Sequence, residues 1–270
     1  MLVNALVDVE VVALEQEDEV TVMLDLAAPG TPTDAARPPA AVQVVLDRSG
    51  SMFGERLDAA KQALMLLIDR LDPSDSFGLV AFDDTVKVVV PAGPLTNKVA
   101  VSQAISALQA GGLTNLSAGL LRGLQEARRV AGDSGATLLL LSDGHANEGE
   151  IDPGRLAAVA AAARKHGTTT STIGIGTGYD ELLLAEVGRG GQGNHVFAEQ
   201  GEDAAAAVAG EVTGLLSKTV QAVSLIVRPQ APVDSVKVFN DVPGQRIDGG
   251  IMFELGDLWA GEQRKLLISF

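Results

Sequence analysis

The chain has 270 residues, 46% of them hydrophobic, and a chain of this length buries about three quarters of its unfolded surface. We therefore expect a substantial core, formed by one large domain or by one domain with a smaller companion. The lack of cysteine excludes disulfides, thiolate zinc sites and iron–sulfur clusters, and the formal net charge of −15 disfavours nucleic acid and anionic lipid as partners.

Acidic residues near the N-terminus stand where a signal peptide has basic ones, and no apolar run approaches the roughly 20 residues of a membrane span. We therefore expect no membrane insertion of this chain and a cytoplasmic location. The chain stops inside the strand-like residues 266–270, which predicts that the natural protein continues beyond Phe270.

Residues 1–38 are predicted to be N-terminal strands followed by a linker. The valine-rich residues 5–14 indicate one strand, and from Val20 to Leu26 apolar residues alternate with Thr21, Met23 and Asp25, which is the period of a second strand. Residues 29–39 are rich in proline, which is typical of a linker.

Between residues 39 and 217, short apolar runs alternate with longer segments of helical spacing. This alternation predicts an α/β domain with a mostly parallel sheet. The predicted strands are residues 42–47, 77–82, 86–90, 137–143, 169–176 and 195–197. The predicted helices lie at residues 57–71, 101–108, 115–130, around 156–163, 180–187 and 203–217.

Residues 218–270 return to short strands, separated by turns of Pro, Gly and Asp. The predicted strands are residues 220–227, 233–239, 250–255 and 264–270. Because neither flanking set of strands can bury a face alone, we expect residues 1–38 and 218–270 to pack together as a small β-sandwich.

Oxygen-bearing side chains stand at three points of the predicted α/β domain. Asp47, Ser49 and Ser51 follow the first strand, Thr114 lies in a Gly-rich loop that opens a helix, and Asp143 ends the most hydrophobic strand. Ligands of open α/β sheets bind beyond the carboxyl ends of the strands, so Asp47 and Asp143 share one edge if their strands are neighbours. Oxygen ligands without His or Cys favour Mg²⁺, with Mn²⁺ or Ca²⁺ as alternatives.

This pattern, with Asp-x-Ser-x-Ser, a later Thr and Ser-Asp-Gly after an apolar strand, resembles the metal-ion-dependent adhesion site of von Willebrand factor type A domains. The segments LVAF, GGLTNLSAGL, LLLLSDGHANEG and STIGIG are similar to the bacterial and inter-α-trypsin-inhibitor-like branch, whose members often carry flanking β-rich segments. The resemblance implies a Rossmann-like fold with helices on both faces of the sheet. It implies Ser49, Ser51 and Thr114 as hydroxyl ligands, and Asp47 and Asp143 as carboxylates that bind the metal directly or through water.

The charge of such a site indicates what it can do. Two carboxylates offset the charge of one Mg²⁺, and five protein groups leave one of six coordination positions for an Asp or Glu of a partner. We therefore expect a Mg²⁺-dependent protein–protein interaction module rather than an enzyme. The alternatives are a metal-dependent hydrolase or phosphotransferase that uses the same carboxylates, and a scaffold that the metal only rigidifies. The motif loops contain no residue placed as a general base and no phosphate-binding Lys loop, which disfavours the enzyme.

Other polar residues near these motifs have simpler interpretations. We expect the glycine-rich residues 174–178 to form a strand-to-helix turn, His145 to be an exposed loop residue, and Asp83 with Asp84 to be a solvated acidic pair. Arg48, between two candidate ligands, either reaches a partner's carboxylate or faces water.

Overall fold

The computed structural model describes residues 1–8, 19–30, 39–132, 135–143, 145–199, 201–216, 218–240, 242 and 244–270. The chain divides into two compact units, one of Met1–Arg37 with Ser217–Phe270 and the other of Pro38–Leu216. Most of the predicted linker and the second half of the first predicted strand lie outside the described residues.

The strands, in chain order, are β1 (Leu2–Val7), β2 (Thr21–Ala27), β3 (Ala41–Asp47), β4 (Ser76–Phe82), β5 (Val86–Pro94), β6 (Ala136–Ser142), β7 (Thr168–Ile175), β8 (Gln192–Ala198), β9 (Lys218–Val227), β10 (Lys237–Val238), β11 (Gly244–Ile247), β12 (Gly250–Trp259) and β13 (Gln263–Ser269). The helices are α1 (Glu55–Arg70), α2 (Lys98–Ser106), α3 (Leu116–Val130), α4 (Pro153–Arg164), α5 (Glu181–Gly190) and α6 (Gly201–Leu216). Within the described ranges, no helix has the length and apolar character needed to cross a membrane.

The larger unit is built on a six-stranded sheet in the order β5-β4-β3-β6-β7-β8. All neighbouring strands are parallel except β4 and β5, which form an antiparallel hairpin. The predicted Rossmann-like α/β class is therefore confirmed. Every residue of β3, β6 and β7 is buried, and burial on both faces accounts for the continuous apolar run of β6, whereas β7 is rich in threonine.

Helices cover both faces of this sheet. Apolar side chains of α1, α2 and α6 form one core layer, and those of α3, α4 and α5 form the other. Helix α3 lies close to the sheet, since a Cβ atom at Gly123 would be 2.1 Å from Val45 Cγ2 and one at Gly119 would be 2.5 Å from Phe82 Cδ1. Two glycines thus allow the short distance between α3 and the sheet. Helix α3 begins two residues after Thr114.

The smaller unit contains two antiparallel sheets, β1-β2-β13-β10 and β11-β12-β9. Leu26 and Leu266 of the first sheet share an apolar core with Phe253 and Leu255 of the second. The expected β-sandwich of N-terminal and C-terminal strands is therefore present.

Two details of this sandwich differ from the prediction. The strand predicted at residues 233–239 is only Lys237–Val238 in β10, and β11 was not predicted because its residues are mostly polar. The signal for β11 is the Asp-Gly pair at Asp248 and Gly249, a two-residue hairpin turn in which Gly249 has φ of +70°.

Candidate metal centre

The carboxyl ends of β3 and β6 place Asp47 and Asp143 at the same edge of the sheet. These strands are parallel neighbours, with Leu46 paired to Leu141, so Asp47 ends one strand where Asp143 follows the other. The Ser142 hydroxyl donates a hydrogen bond of 2.5 Å to Asp47 Oδ2 and joins the two strand ends. Both carboxylates are completely buried.

The turn after β3 brings Ser49 and Ser51 to this edge. The Ser49 amide donates to Asp47 Oδ1 at 2.8 Å, and the hydroxyl oxygens of Ser49 and Ser51 are 3.1 Å apart. A short 3₁₀ turn at Gly50–Met52 follows, and the fully buried Met52 side chain anchors it in the core. The two hydroxyls therefore have a fixed spacing.

The loop that contains Thr114 is attached to the turn after β3 by backbone hydrogen bonds. The Gly50 amide donates to the Gly112 carbonyl at 3.1 Å, and the Gly111 amide donates to the Arg48 carbonyl at 2.8 Å. The close approach at Gly112, which has φ of +76°, suits a residue without a side chain.

Asn147 attaches the same loop to the segment after β6. Its side-chain Oδ1 atom accepts from the Thr114 backbone amide at 2.9 Å, and its backbone amide donates to the Thr114 carbonyl at 3.2 Å. Thr114 is buried, and Asn115 caps the start of α3 by accepting from the Ala118 amide. Three loops that are distant in sequence thus form one hydrogen-bonded edge, and these loops carry all five predicted ligands.

Burial gives Asp47 an unusual protonation equilibrium. The pKa of Asp47 is raised from 3.8 to about 6, chiefly by burial and to a smaller extent by the nearby charge of Asp143, while hydrogen bonds from Ser142 and Ser49 oppose the shift. Ionised Asp47 is thus costly in the metal-free fold, and a cation at this edge offsets that cost.

The donor set fits a hard divalent cation. In an octahedral Mg²⁺ site with bonds of about 2.1 Å, adjacent ligand oxygens lie about 3 Å apart, close to the 3.1 Å between the Ser49 and Ser51 hydroxyls. In the part of the chain that the structure describes, no group of three or more His, Asp or Glu side chains is arranged to hold a metal.

Arg48 and Asp83 form an ion pair beside this edge that the sequence analysis missed. Arg48 Nη2 lies 2.6 Å from Asp83 Oδ2, and Asp83 Oδ1 accepts two bonds of 2.7 Å from the amide and hydroxyl of Thr85. The expectation that Asp83 is solvated is wrong, because the hairpin between β4 and β5 buries it, whereas Asp84 is exposed. Arg48 contacts this carboxylate within the chain rather than facing only water.

Arg56 is a second cation that the sequence analysis missed. Its Nη1 atom is 3.1 Å from Asp143 Oδ2, although 87 residues separate the two in sequence. His145 is exposed, as expected. Of the glycine-rich residues 174–178, the first two end β7 and residues 176–178 form the expected turn toward α5. The contact of Arg56 becomes visible only in the folded chain, because Arg56 lies on α1 and Asp143 follows β6.

Two large apolar side chains project from the loops of this edge. Phe53 follows the turn after β3 and is 81% exposed, and Leu113 precedes Thr114 and is 56% exposed. Aromatic side chains such as that of Phe53 are enriched at protein–protein interfaces.

Comparison with known proteins agrees with this architecture. The family model of the von Willebrand factor type A domain matches residues 42–210. The chain belongs to this family. Domains of the family are in general modules of protein–protein interaction.

The most similar relatives include bacterial and eukaryotic proteins. An uncharacterized protein from Synechocystis is 29% identical over 84% of this chain and 56% of its own length. Inter-alpha-trypsin inhibitor heavy chain H1 from Mesocricetus auratus is 35% identical over 40% of this chain and 13% of its own length. The E3 ubiquitin-protein ligase WAV3 from Arabidopsis thaliana is 30% identical over 86% of this chain and 31% of its own length. The chain thus spans only about half, or less, of these relatives.

Among solved structures, a von Willebrand factor type A protein from Catenulispora acidiphila superimposes with a TM-score of 0.75. The superposition covers 99% of this chain and 64% of that protein's chain, at 21% identity, and therefore supports the fold. The expected resemblance to von Willebrand factor type A domains is confirmed by the family match, and the metal ligands stay a prediction.

Proposed function

We propose that this chain is a protein-interaction module that holds Mg²⁺, or alternatively Mn²⁺ or Ca²⁺, at the edge formed by Asp47, Ser49, Ser51, Thr114 and Asp143. One observation carries the proposal: two completely buried carboxylates and three hydroxyls lie on loops that hydrogen bond to one another. A divalent cation bound there would offer an open coordination position to an oxygen ligand from outside the chain.

The surroundings of this edge favour a partner that presents Asp or Glu. A chain with a net charge of −15 repels an acidic partner at a distance, and a bound cation reverses the sign of the local field. Phe53 and Leu113 flank the edge and offer apolar contact to residues next to the partner's carboxylate. The partner chemistry we propose is therefore a carboxylate with apolar neighbours.

We propose binding rather than catalysis as the activity. Among the described residues, the groups that hydrogen bond to Asp47 and Asp143 are serine hydroxyls, backbone amides and the Arg56 guanidinium. None of these is a general base at neutral pH, and His145 contacts Asp143 only through its backbone amide.

Calorimetric titration of Mn²⁺ and Mg²⁺ tests the proposal. Wild type should bind one ion, and Asp47→Ala and Asp143→Ala should lose most of that affinity. Asp84→Ala is the matched control, because it removes an exposed carboxylate that lies beside the edge and outside the donor set. Equal metal binding by wild type and both site variants would remove the site from the proposal.

A second measurement separates binding from catalysis. A peptide with one Glu between Leu residues should bind only in the presence of metal, and its Gln counterpart should not bind. Generic phosphatase and esterase substrates should not be turned over. Hydrolysis that disappears in Asp47→Ala would instead support a metal-dependent hydrolase.

A further inference from the structure

Arg56 places a positive charge inside the candidate metal centre. Its guanidinium lies 3.1 Å from Asp143 Oδ2, 3.3 Å from the Ser51 carbonyl and 3.3 Å from the Thr177 carbonyl. These acceptors follow three different strands, β3, β6 and β7. The side chain of α1 thus reaches across the carboxyl edge of the sheet and is held at both ends of its guanidinium.

The absence of a side chain at Gly176 leaves space for the Arg56 side chain. Gly176 has φ of +86°, and a Cβ atom at this position would lie 2.4 Å from Arg56 Nε. Any other residue at this position would displace the Arg56 side chain. Asp143 is 1% exposed and Arg56 is 31% exposed, so the pair is protected from much of the screening that weakens surface ion pairs.

Because of two carbonyl contacts, the position of the Arg56 guanidinium does not depend on Asp143 alone. Carbonyl oxygens of Ser51 and Thr177 also accept from Arg56, and these two hydrogen bonds do not use the carboxylate of Asp143. The positive charge therefore stays at the edge when a metal ion arrives.

A count of formal charges shows the consequence. Ionised Asp47 and Asp143 with Arg56 carry one net negative charge, so a divalent cation leaves the edge with one net positive charge. An incoming carboxylate then brings it to zero. Without Arg56, the metal alone would neutralise the two carboxylates and a carboxylate ligand would restore a negative charge.

We infer that Arg56 is a tethered cation that weakens the binding of free metal and makes metal binding depend on simultaneous capture of a carboxylate. This inference rests on the proposed function, because it assigns a regulator to the same site. By linkage, a carboxylate ligand strengthens metal binding by the same factor by which metal strengthens ligand binding. Arg56 raises that factor.

Titration of Mn²⁺ into Arg56 variants tests the inference. Arg56→Met and Arg56→Gln remove the charge, and Gln retains a hydrogen-bond donor. Arg56→Lys keeps the charge. Arg155→Met is the control, because it removes a charge from an exposed ion pair with Glu150 outside the donor set. Each protein is titrated alone, with the Leu-flanked Glu peptide, and with its Gln counterpart.

Without peptide, Arg56→Met and Arg56→Gln should bind Mn²⁺ at least tenfold more tightly than wild type. Arg56→Lys should stay closer to wild type than either neutral variant, and Arg155→Met should stay within about twofold of wild type. The Glu peptide should increase the Mn²⁺ affinity of wild type by a larger factor than that of either neutral variant. Thermal unfolding in chelator verifies that each variant is folded. If Arg56→Met does not fold, Arg56→Gln provides the neutral variant.

Three results would overturn the inference in distinguishable ways. Equal Mn²⁺ affinity and equal peptide enhancement in wild type and the neutral variants would leave the metal site intact and remove the regulator. Weaker Mn²⁺ binding by the neutral variants would make Arg56 a support for ligand geometry. Absence of Mn²⁺ binding in every protein would instead defeat the proposed function itself.

Discussion

Burial of the Asp47 carboxylate makes the stability of the metal-free fold depend on pH. Its pKa of about 6 means that the metal-free fold takes up a proton that the unfolded chain has already released. The metal-free fold therefore loses stability as pH rises from about 4 to about 6, and the loss is complete above that range. The cation that we propose would offset this loss at the pH values where the loss is complete.

The first prediction is that Asp47→Asn stabilises the metal-free protein at pH 7. Asn is neutral at every pH and can still accept from the Ser49 amide, so the cost of the buried charge disappears. A shift from 3.8 to about 6 corresponds to an upper value of about 3 kcal/mol, and we expect a gain of about 1 to 3 kcal/mol. Urea unfolding in chelator measures it.

The same unfolding series at pH 4 provides the control. Asp47 is protonated in the metal-free wild-type fold there, so the gain from Asp47→Asn should shrink to near zero. A variant that is less stable than wild type at both pH values would show that the Asp47 hydrogen bonds matter more than its charge.

The second prediction concerns the pH dependence of metal binding. A carboxylate must be ionised to bind a cation, and with a pKa of about 6 Asp47 is about 90% ionised at pH 7 and about 10% at pH 5. We expect Mn²⁺ affinity to fall by about tenfold between these pH values. Calorimetry measures it, and Asp84→Asn should show the same fall. Constant affinity from pH 7 to pH 5 would contradict a role for Asp47.

At the scale of elements, the sequence was informative where a segment's own chemistry decides its structure. The continuous apolar run of β6 indicated a central strand, the apolar residues of β3 indicated another strand, and Asp47 and Asp143 at their ends located the candidate site. The polar strand β11 was missed because its pattern lacks alternation, although the Asp248-Gly249 turn was visible. Local periodicity predicts buried elements better than exposed ones.

Pairs that form only after folding could not be predicted. Arg48 with Asp83 and Arg56 with Asp143 are far apart in sequence, and each meeting depends on strand order and helix position. A loop Asp is usually solvated, so no local signal distinguishes buried Asp83 from exposed Asp84. The sequence therefore located the candidate ligands, whose metal binding stays a prediction, but not their charged neighbours.

The third prediction is that Gly123→Ala destabilises the fold by about 1 to 3 kcal/mol. The added methyl group would lie 2.1 Å from Val45 Cγ2 on a central strand, so α3 or β3 must move. Because α3 begins just after Thr114, we also expect weaker Mn²⁺ binding. Urea unfolding and calorimetry measure both effects.

Gly210→Ala is the matched control for this substitution. Gly210 lies on α6 and has no atom within 4 Å of an added Cβ. The change should stabilise the protein by up to about 1 kcal/mol, since Ala favours helix more than Gly does. Equal effects of the two substitutions would show that helix propensity, and not the contact with Val45, governs Gly123.

At the scale of the whole molecule, the charge of −15 acts on metal and ligand in opposite directions. It attracts cations from solution and repels acidic peptides, whereas the proposed cation attracts a carboxylate only within the edge of the sheet. The Debye length shortens from about 30 Å at 0.01 M salt to about 8 Å at 0.15 M salt, so salt screens the long-range repulsion more than the direct contact.

The last prediction is therefore that salt has opposite effects on the two binding steps. As NaCl rises from 0.01 M to 0.15 M, Mn²⁺ affinity should fall, while the association rate of an acidic Glu peptide with Mn²⁺-saturated protein should rise severalfold. A peptide with the same Glu but flanking Lys residues is the control, because the chain attracts it and its association rate should fall with salt. Calorimetry and stopped-flow fluorescence measure the two steps. If the acidic peptide also associated more slowly at high salt, the local field at the edge, rather than the net charge of the molecule, would control its approach.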